Sequence, residues 1–122
     1  MKVSLTDVFA LFFAMLILFI SEGYAQQGAP AFSDVDKIFQ TRCDKCHSGS
    51  RPPDGLRLDS YNGVMTGAKE MKVVVKGEPA QSELVKRVKG ISKPRMPKDG
   101  PPWLSESDIA LIEKWIASGA PE

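Results

Sequence analysis

Five consecutive residues, Cys43-Asp44-Lys45-Cys46-His47, constrain this chain more than any other stretch, because they hold both of its cysteines and its single histidine. C-x-x-C-H is the spacing at which c-type haem is attached. Two cysteines three apart on one helical turn present their sulfurs on one face, and each can add across one vinyl group of a single porphyrin. His47 then falls beneath the iron as the proximal ligand, in its neutral imidazole form. Competing chemistries fit less well. A dithiol redox pair belongs with a βαβ scaffold, and the chain has no such alternation. A structural zinc takes four ligands, where three at most are on offer. A disulfide across so short a loop removes little unfolded-chain entropy.

At 122 residues there is room for one domain, and part of that length reads as an export signal. Lys2 precedes an apolar run from Val8 to Ile20, and Gly23-Tyr24-Ala25 offers a small-x-small cleavage site. Asp7 weakens the positive start a little. The run falls short of the roughly 20 apolar residues of a membrane-spanning helix, so residues 1–25 are expected to be a cleaved signal peptide, with a retained anchor as the alternative. No cysteine stands at the cleavage region to carry a lipid. The expected mature domain is residues 26–122, delivered to the periplasm or otherwise exported. Removing Lys2, Asp7 and Glu22 turns 16 basic against 15 acidic residues into 15 against 13. Two haem propionates would bring that excess near neutrality. A chain this small commonly needs a staple or cofactor to complete its core.

The remaining pattern is helical. Ser33 is positioned as an N-cap with Asp36 three residues on, and Val35, Ile38 and Phe39 make one apolar stripe running toward Cys43. That spacing places Phe39 on the haem-facing side, where plain core packing accounts for it equally well. Residues 48–55 are rich in Pro, Gly and Ser and read as a loop. Within it the carbonyl of Pro52 or Pro53 is the expected acceptor for the second ring N–H of His47, although both prolines also serve as turn formers. Leu56 and Leu58 are placed to line the haem edge. Asp59 or Ser60 caps a short helix through Met65, ended by Gly67, and Met71–Lys76 reads as an extended segment, with a hairpin as the alternative. Ser82 caps a second short helix, Glu83 to Lys89, with Leu84, Val85 and Val88 inward and Gly90 as its stop. Ile91–Pro102 is a long proline-rich loop. Ser105-Glu106-Ser107-Asp108 opens a last helix carrying Ile109, Ile112 and Ile116, with Leu111 and Trp115 beside them and Gly119 at its end. The expected fold is small and all-α, its N-terminal and C-terminal helices packed together beside the haem, with short helices and long loops between.

With one histidine in the chain, bis-histidine ligation is ruled out, and the sixth ligand falls among methionine, lysine, water or nothing. Met1 and Met15 would leave with the signal peptide. Met65, in a short helix, reads as core filler, and Met71 stays undecided. Met96 sits between Pro94 and Pro97, whose restricted backbones lower the entropic cost of holding a weak thioether on iron. Met96 is therefore the choice. Imidazole–thioether ligation raises the haem potential and leaves no open coordination position, which suits electron transfer better than catalysis. The chain also lacks a distal acid–base pair.

An early C-x-x-C-H, a single distal methionine on a later loop and a closing amphipathic helix together resemble the class I cytochrome c fold. More closely, Gly55-Leu-Arg-Leu-Asp-Ser-Tyr61, Gly77-Glu-Pro-Ala-Gln-Ser-Glu-Leu84, Arg95-Met-Pro97 and the segment from Leu104 to Ala120 are similar to the planctomycete-type cytochrome C domain. The resemblance implies one covalently bound haem c, with thioethers at Cys43 and Cys46, proximal His47 and distal Met96 as iron ligands. It implies a one-electron carrier rather than an enzyme. Trp103 departs from that pattern and is a candidate shield for the haem or a propionate.

Between Lys69 and Lys98 stand nine basic residues against three acidic ones. A basic rim at the haem edge would steer redox partner proteins with acidic faces; a plain solvated face is the alternative. Nucleic acid is not an expected partner for an exported chain of balanced charge, and a membrane is expected only if the N-terminal segment is retained. Two other functions stay open. One is a haem-based gas sensor or ligand-binding protein with a displaceable distal ligand; the other is a membrane-tethered or oligomeric electron conduit.

Overall fold

Helix α1 (Phe32–Arg42) starts two residues before the position expected from Ser33. Its N-cap is Ala31, and the capping side chain is Asp34 at the third helical position, which accepts the Ala31 N–H at 3.0 Å. A carboxylate there also suits the positive end of the helix dipole. The earlier start brings Phe32 into the helix, and its ring then packs against Phe39, Tyr61 and Trp115, with centroids 6.2, 5.6 and 6.0 Å away. Phe39 is fully buried within this cluster. Of the two roles the stripe allowed it, core packing is the one it has.

The computed structural model describes residues 28–122, and the expected signal peptide lies outside the described residues. The order after α1 is a 3₁₀ turn at Pro53–Gly55, α2 (Tyr61–Thr66), a second 3₁₀ turn at Pro79–Gln81, α3 (Glu83–Lys89) and α4 (Glu106–Ala117). Among the described residues there is no strand, and no helix is long and apolar enough to cross a membrane. The all-α architecture is that of a small cytochrome fold. Ser60 caps α2 by accepting the Gly63 N–H at 3.1 Å, and Gly67 closes it. Ser105 caps α4 by accepting the Asp108 N–H at 3.1 Å.

Helix α4 lies across α1 and α3 and buries Ile112, Trp115 and Ile116 completely. The Trp115 indole N–H donates to the Pro121 carbonyl at 2.8 Å, so the largest core side chain leaves no orphan donor. Tyr61 reaches across from α2 to donate to the Ala120 carbonyl at 3.0 Å. These bonds fold the C-terminal residues back over the aromatic cluster.

The segment Met71–Lys76, expected to be extended, carries no regular structure, with a bend at Val73 and a turn at Lys76, and part of its polar backbone is satisfied by helix ends. Val73 accepts the Leu84 N–H at 3.0 Å, and the Gly77 N–H reaches the Ile116 carbonyl at 2.8 Å. Ser82 explains the rest. It occupies the N-cap position of α3, yet its side chain makes no cap bond. Its hydroxyl accepts the Val75 N–H at 2.9 Å and donates to the Glu78 carbonyl at 3.0 Å. The residue is wholly buried, so the hydroxyl holds an internal corner that a surface cap would not need. Ser82→Ala is predicted to leave the Val75 N–H without its partner, while the Glu78 carbonyl keeps the N–H groups of Gln81 and Ser82. It should lower stability by about 1–3 kcal/mol, read as a lower urea midpoint; an unchanged midpoint would show that the corner relaxes at no cost.

Candidate cofactor site

Helix α1 ends where the motif begins. The Phe39 carbonyl accepts the N–H groups of both Cys43 and Asp44, at 2.8 and 2.9 Å, which stops the helix at Arg42. The Cys43 carbonyl then accepts from Cys46 at 3.1 Å and from His47 at 2.9 Å. One tight turn thus gathers the two sulfurs and the imidazole at the edge of an apolar cavity of about 360 Å³. Desolvation by burial pushes the Cys43 thiol up to about 12. That is the reverse of the lowered thiol pKa on which dithiol catalysts depend. Between the sulfurs, Asp44 keeps one carboxylate oxygen buried without a hydrogen-bond partner. The same desolvation, with the charges of Asp59 and Asp36, raises its pKa.

His47 Nδ1 lies 3.2 Å from the Leu56 carbonyl. A carbonyl can only accept, so Nδ1 carries the proton and the Nε2 lone pair is left for a metal. The expected acceptors, Pro52 and Pro53, are occupied otherwise: their carbonyls take the N–H groups of Gly55 and Leu56 at 3.0 and 3.1 Å. That 3₁₀ turn is what aims the Leu56 carbonyl. Asp54 and Gly55 both adopt left-handed backbone, at φ 54° and 70°, and the Asp54 carbonyl is held by the Lys69 N–H at 2.9 Å. The prolines are the scaffold of the acceptor and not the acceptor itself. The Leu58 N–H completes the anchorage by donating to the His47 carbonyl at 2.8 Å.

The opposite walls come from distant parts of the chain. Leu56 and Leu58, expected at the haem edge, do line the cavity, together with Val73, Leu84 and Val88. Helix α3 presents Leu84 and Val88 one turn apart and, beside them, the Arg87–Glu83 ion pair at 2.6 Å. Met96 lines the same cavity; its N–H donates to the Arg87 carbonyl at 3.1 Å and ties the loop to α3. Met71 also reaches the wall but is 49% exposed. Met65 packs against the core as filler. Phe39 and Trp103 are not on the cavity wall. Trp103, expected as a shield, instead carries the Arg95 guanidinium 4.2 Å from its ring centroid.

The helical fold and this cavity describe a small cytochrome. Residues 43–100 match the family model of planctomycete cytochrome C, the family whose motifs the sequence resembles. The matched segment runs from Cys43 past Met96 and leaves out α1 and α4. Neither a curated protein nor a solved structure matches the chain. The residues present fit a haem on their own chemistry: two sulfurs and a correctly tautomerised imidazole on one edge, aliphatic walls, and a thioether from a separate loop.

The aim of the Leu56 carbonyl depends on left-handed backbone at Gly55. In Gly55→Ala the added methyl meets nothing closer than Lys69 Cγ at 3.4 Å, so the conformation alone should cost about 1–2 kcal/mol. A urea midpoint lowered by that amount checks the assignment; no change would mean that the turn has another backbone available.

Proposed function

We propose that the chain is an exported monohaem c-type cytochrome that carries one electron at a time. Cys43 and Cys46 hold haem c through thioethers, His47 Nε2 is the proximal ligand and the Met96 thioether the distal one. The observation that carries this reading is that residues from segments far apart in sequence, the 43–47 turn and the 91–103 loop, contribute to the wall of one apolar cavity. When bound, haem supplies an iron that accepts and releases one electron, at a potential set by its axial ligands.

The protein's own part is to hold ligands and exclude water. The Leu56 carbonyl fixes the imidazole ring, and the aliphatic side chains of Leu56, Leu58, Val73, Leu84 and Val88 keep the surroundings of low polarity. The Arg87 carbonyl holds the backbone of Met96. A thioether at the cavity wall whose backbone is tied to α3 supports electron transfer over reversible gas binding.

Redox partners with acidic faces fit Arg42, Lys45 and Lys98, which line the cavity together with the Glu83-paired Arg87. Export to the periplasm is supported by the apolar run Val8–Ile20 and the small-x-small site ending at Ala25. N-terminal sequencing of the secreted protein should begin at Gln26; a chain beginning at Met1 would mean a retained anchor.

The decisive variant is Met96→Ala. Loss of the thioether should abolish the sulfur–iron absorption band and turn the ferric protein high-spin. It should also lower the midpoint potential by a sizeable part of the roughly 0.8 V range that axial ligation commands. An optical redox titration reads all three, and an unchanged spectrum would exclude Met96 as the ligand.

A further inference from the structure

Met96 stands in the middle of a loop with no regular structure of its own, yet that loop is fastened at both ends. On the α3 side the Met96 N–H donates to the Arg87 carbonyl at 3.1 Å, and Arg95 Nε donates to the Val88 carbonyl at 3.3 Å. On the far side the Pro102 carbonyl accepts from Arg42 Nη2 at 2.6 Å, tying the loop to the last residue of α1. The two ends are then joined to each other. The Arg95 guanidinium lies 4.2 Å from the centroid of the Trp103 ring, a distance at which the cation is attracted to the π face. Gly100 lets the loop fold inward, since a Cβ there would collide with the Trp103 indole. Gly90, in left-handed conformation, leaves the space through which Arg95 passes, because a Cβ there would meet Arg95 Cδ at 2.9 Å.

Nothing in cofactor attachment requires Trp103, which lies off the cavity wall and beyond the matched segment. We propose that Arg95 and Trp103 form a clasp that closes the loop around Met96 and sets how readily its thioether leaves the iron. The two are positioning residues. They act through the backbone of Met96 and are not on the wall of the cavity. The proposal rests on the reading of Met96 as distal ligand. Its physical content is that a thioether is a weak ligand, so the population of the dissociated state depends on how many conformations the open loop can reach. An unclasped loop gains such conformations, and a competing ligand then finds the iron more often.

The test uses the purified ferric holoprotein and added imidazole as the competing ligand, followed by loss of the thioether–iron band. Trp103→Ala and Arg95→Gln should each tighten apparent imidazole binding by roughly two- to tenfold, the scale of one partly exposed cation–π contact and its packing. The double variant should do no more than either single one, as expected for two halves of one device. Trp103→Phe, which keeps a π face, should restore most of the wild-type value and also guards against a fold lost in the alanine variant. Wild-type imidazole affinity in both single variants, or effects that simply multiply in the double variant, would overturn the clasp. Met96→Leu is measured alongside. If it keeps the sulfur–iron band, the ligation reading itself fails, and the clasp fails with it.

Discussion

The crossing of α1 and α4 on Trp115 is the contact that the rest of the molecule depends on. Trp115 is wholly buried, packs against Phe32 and is satisfied by the Pro121 carbonyl at 2.8 Å. A tryptophan in such a place contributes on the order of 3–5 kcal/mol relative to alanine, a large share of what a small domain has in total. Its geometric consequence matters as much. Helix α1 ends at the motif, and α4 begins just after the proline-rich loop. One helix crossing therefore sets where the cysteines lie relative to the loop that bears Met96, and the Arg42–Pro102 bond fixes that distance directly.

Around this crossing the chain leaves an apolar hollow. The described residues form four helices, none longer than twelve residues, which is little surface with which to bury a core. Leu56, Leu58, Val73, Leu84 and Val88 turn toward the hollow and not only toward each other. A flat apolar ring placed there would complete the burial that so short a chain cannot achieve alone. The Leu56 carbonyl bond orients the half-buried imidazole at the edge of this hollow.

Charge illustrates the difference between a count and a placement. The basic stretch from Lys69 to Lys98 does not form a uniform rim. Lys72 caps the end of α2 through the Met65 and Thr66 carbonyls, Arg87 pairs with Glu83, Lys89 pairs with Glu113, and Arg95 lies on Trp103. Those cations serve the fold. Arg87 lines the cavity within its pair with Glu83, and Lys98 from this stretch lines it with Arg42 and Lys45 from the motif side; on the proposed reading a partner's acidic groups would meet these last three first.

Helices α2, α3 and α4 could be read from the chain because their signals are local: a serine before each, apolar residues at helical spacing, glycine after. The donor cluster was equally legible, since both cysteines and the histidine stand within five consecutive residues. Where local signals competed, the chain was ambiguous. Ser33 marked the start of α1, and the structure begins it two residues earlier, with Phe32 packed against Trp115 and Asp34 as the capping side chain. Ser82 could cap α3, but a buried corner took its hydroxyl. The acceptor for His47 passed from the prolines to Leu56, because a 3₁₀ turn uses the proline carbonyls internally. Trp103 had no local meaning at all. The sequence by itself determined most of the elements and the grouping of two sulfurs and an imidazole in one turn, because those rest on neighbours within a turn or two. Only the tertiary structure decided which carbonyl faces His47, which cations line the cavity and what Trp103 holds, because each depends on groups that are brought together when α1 and α4 cross.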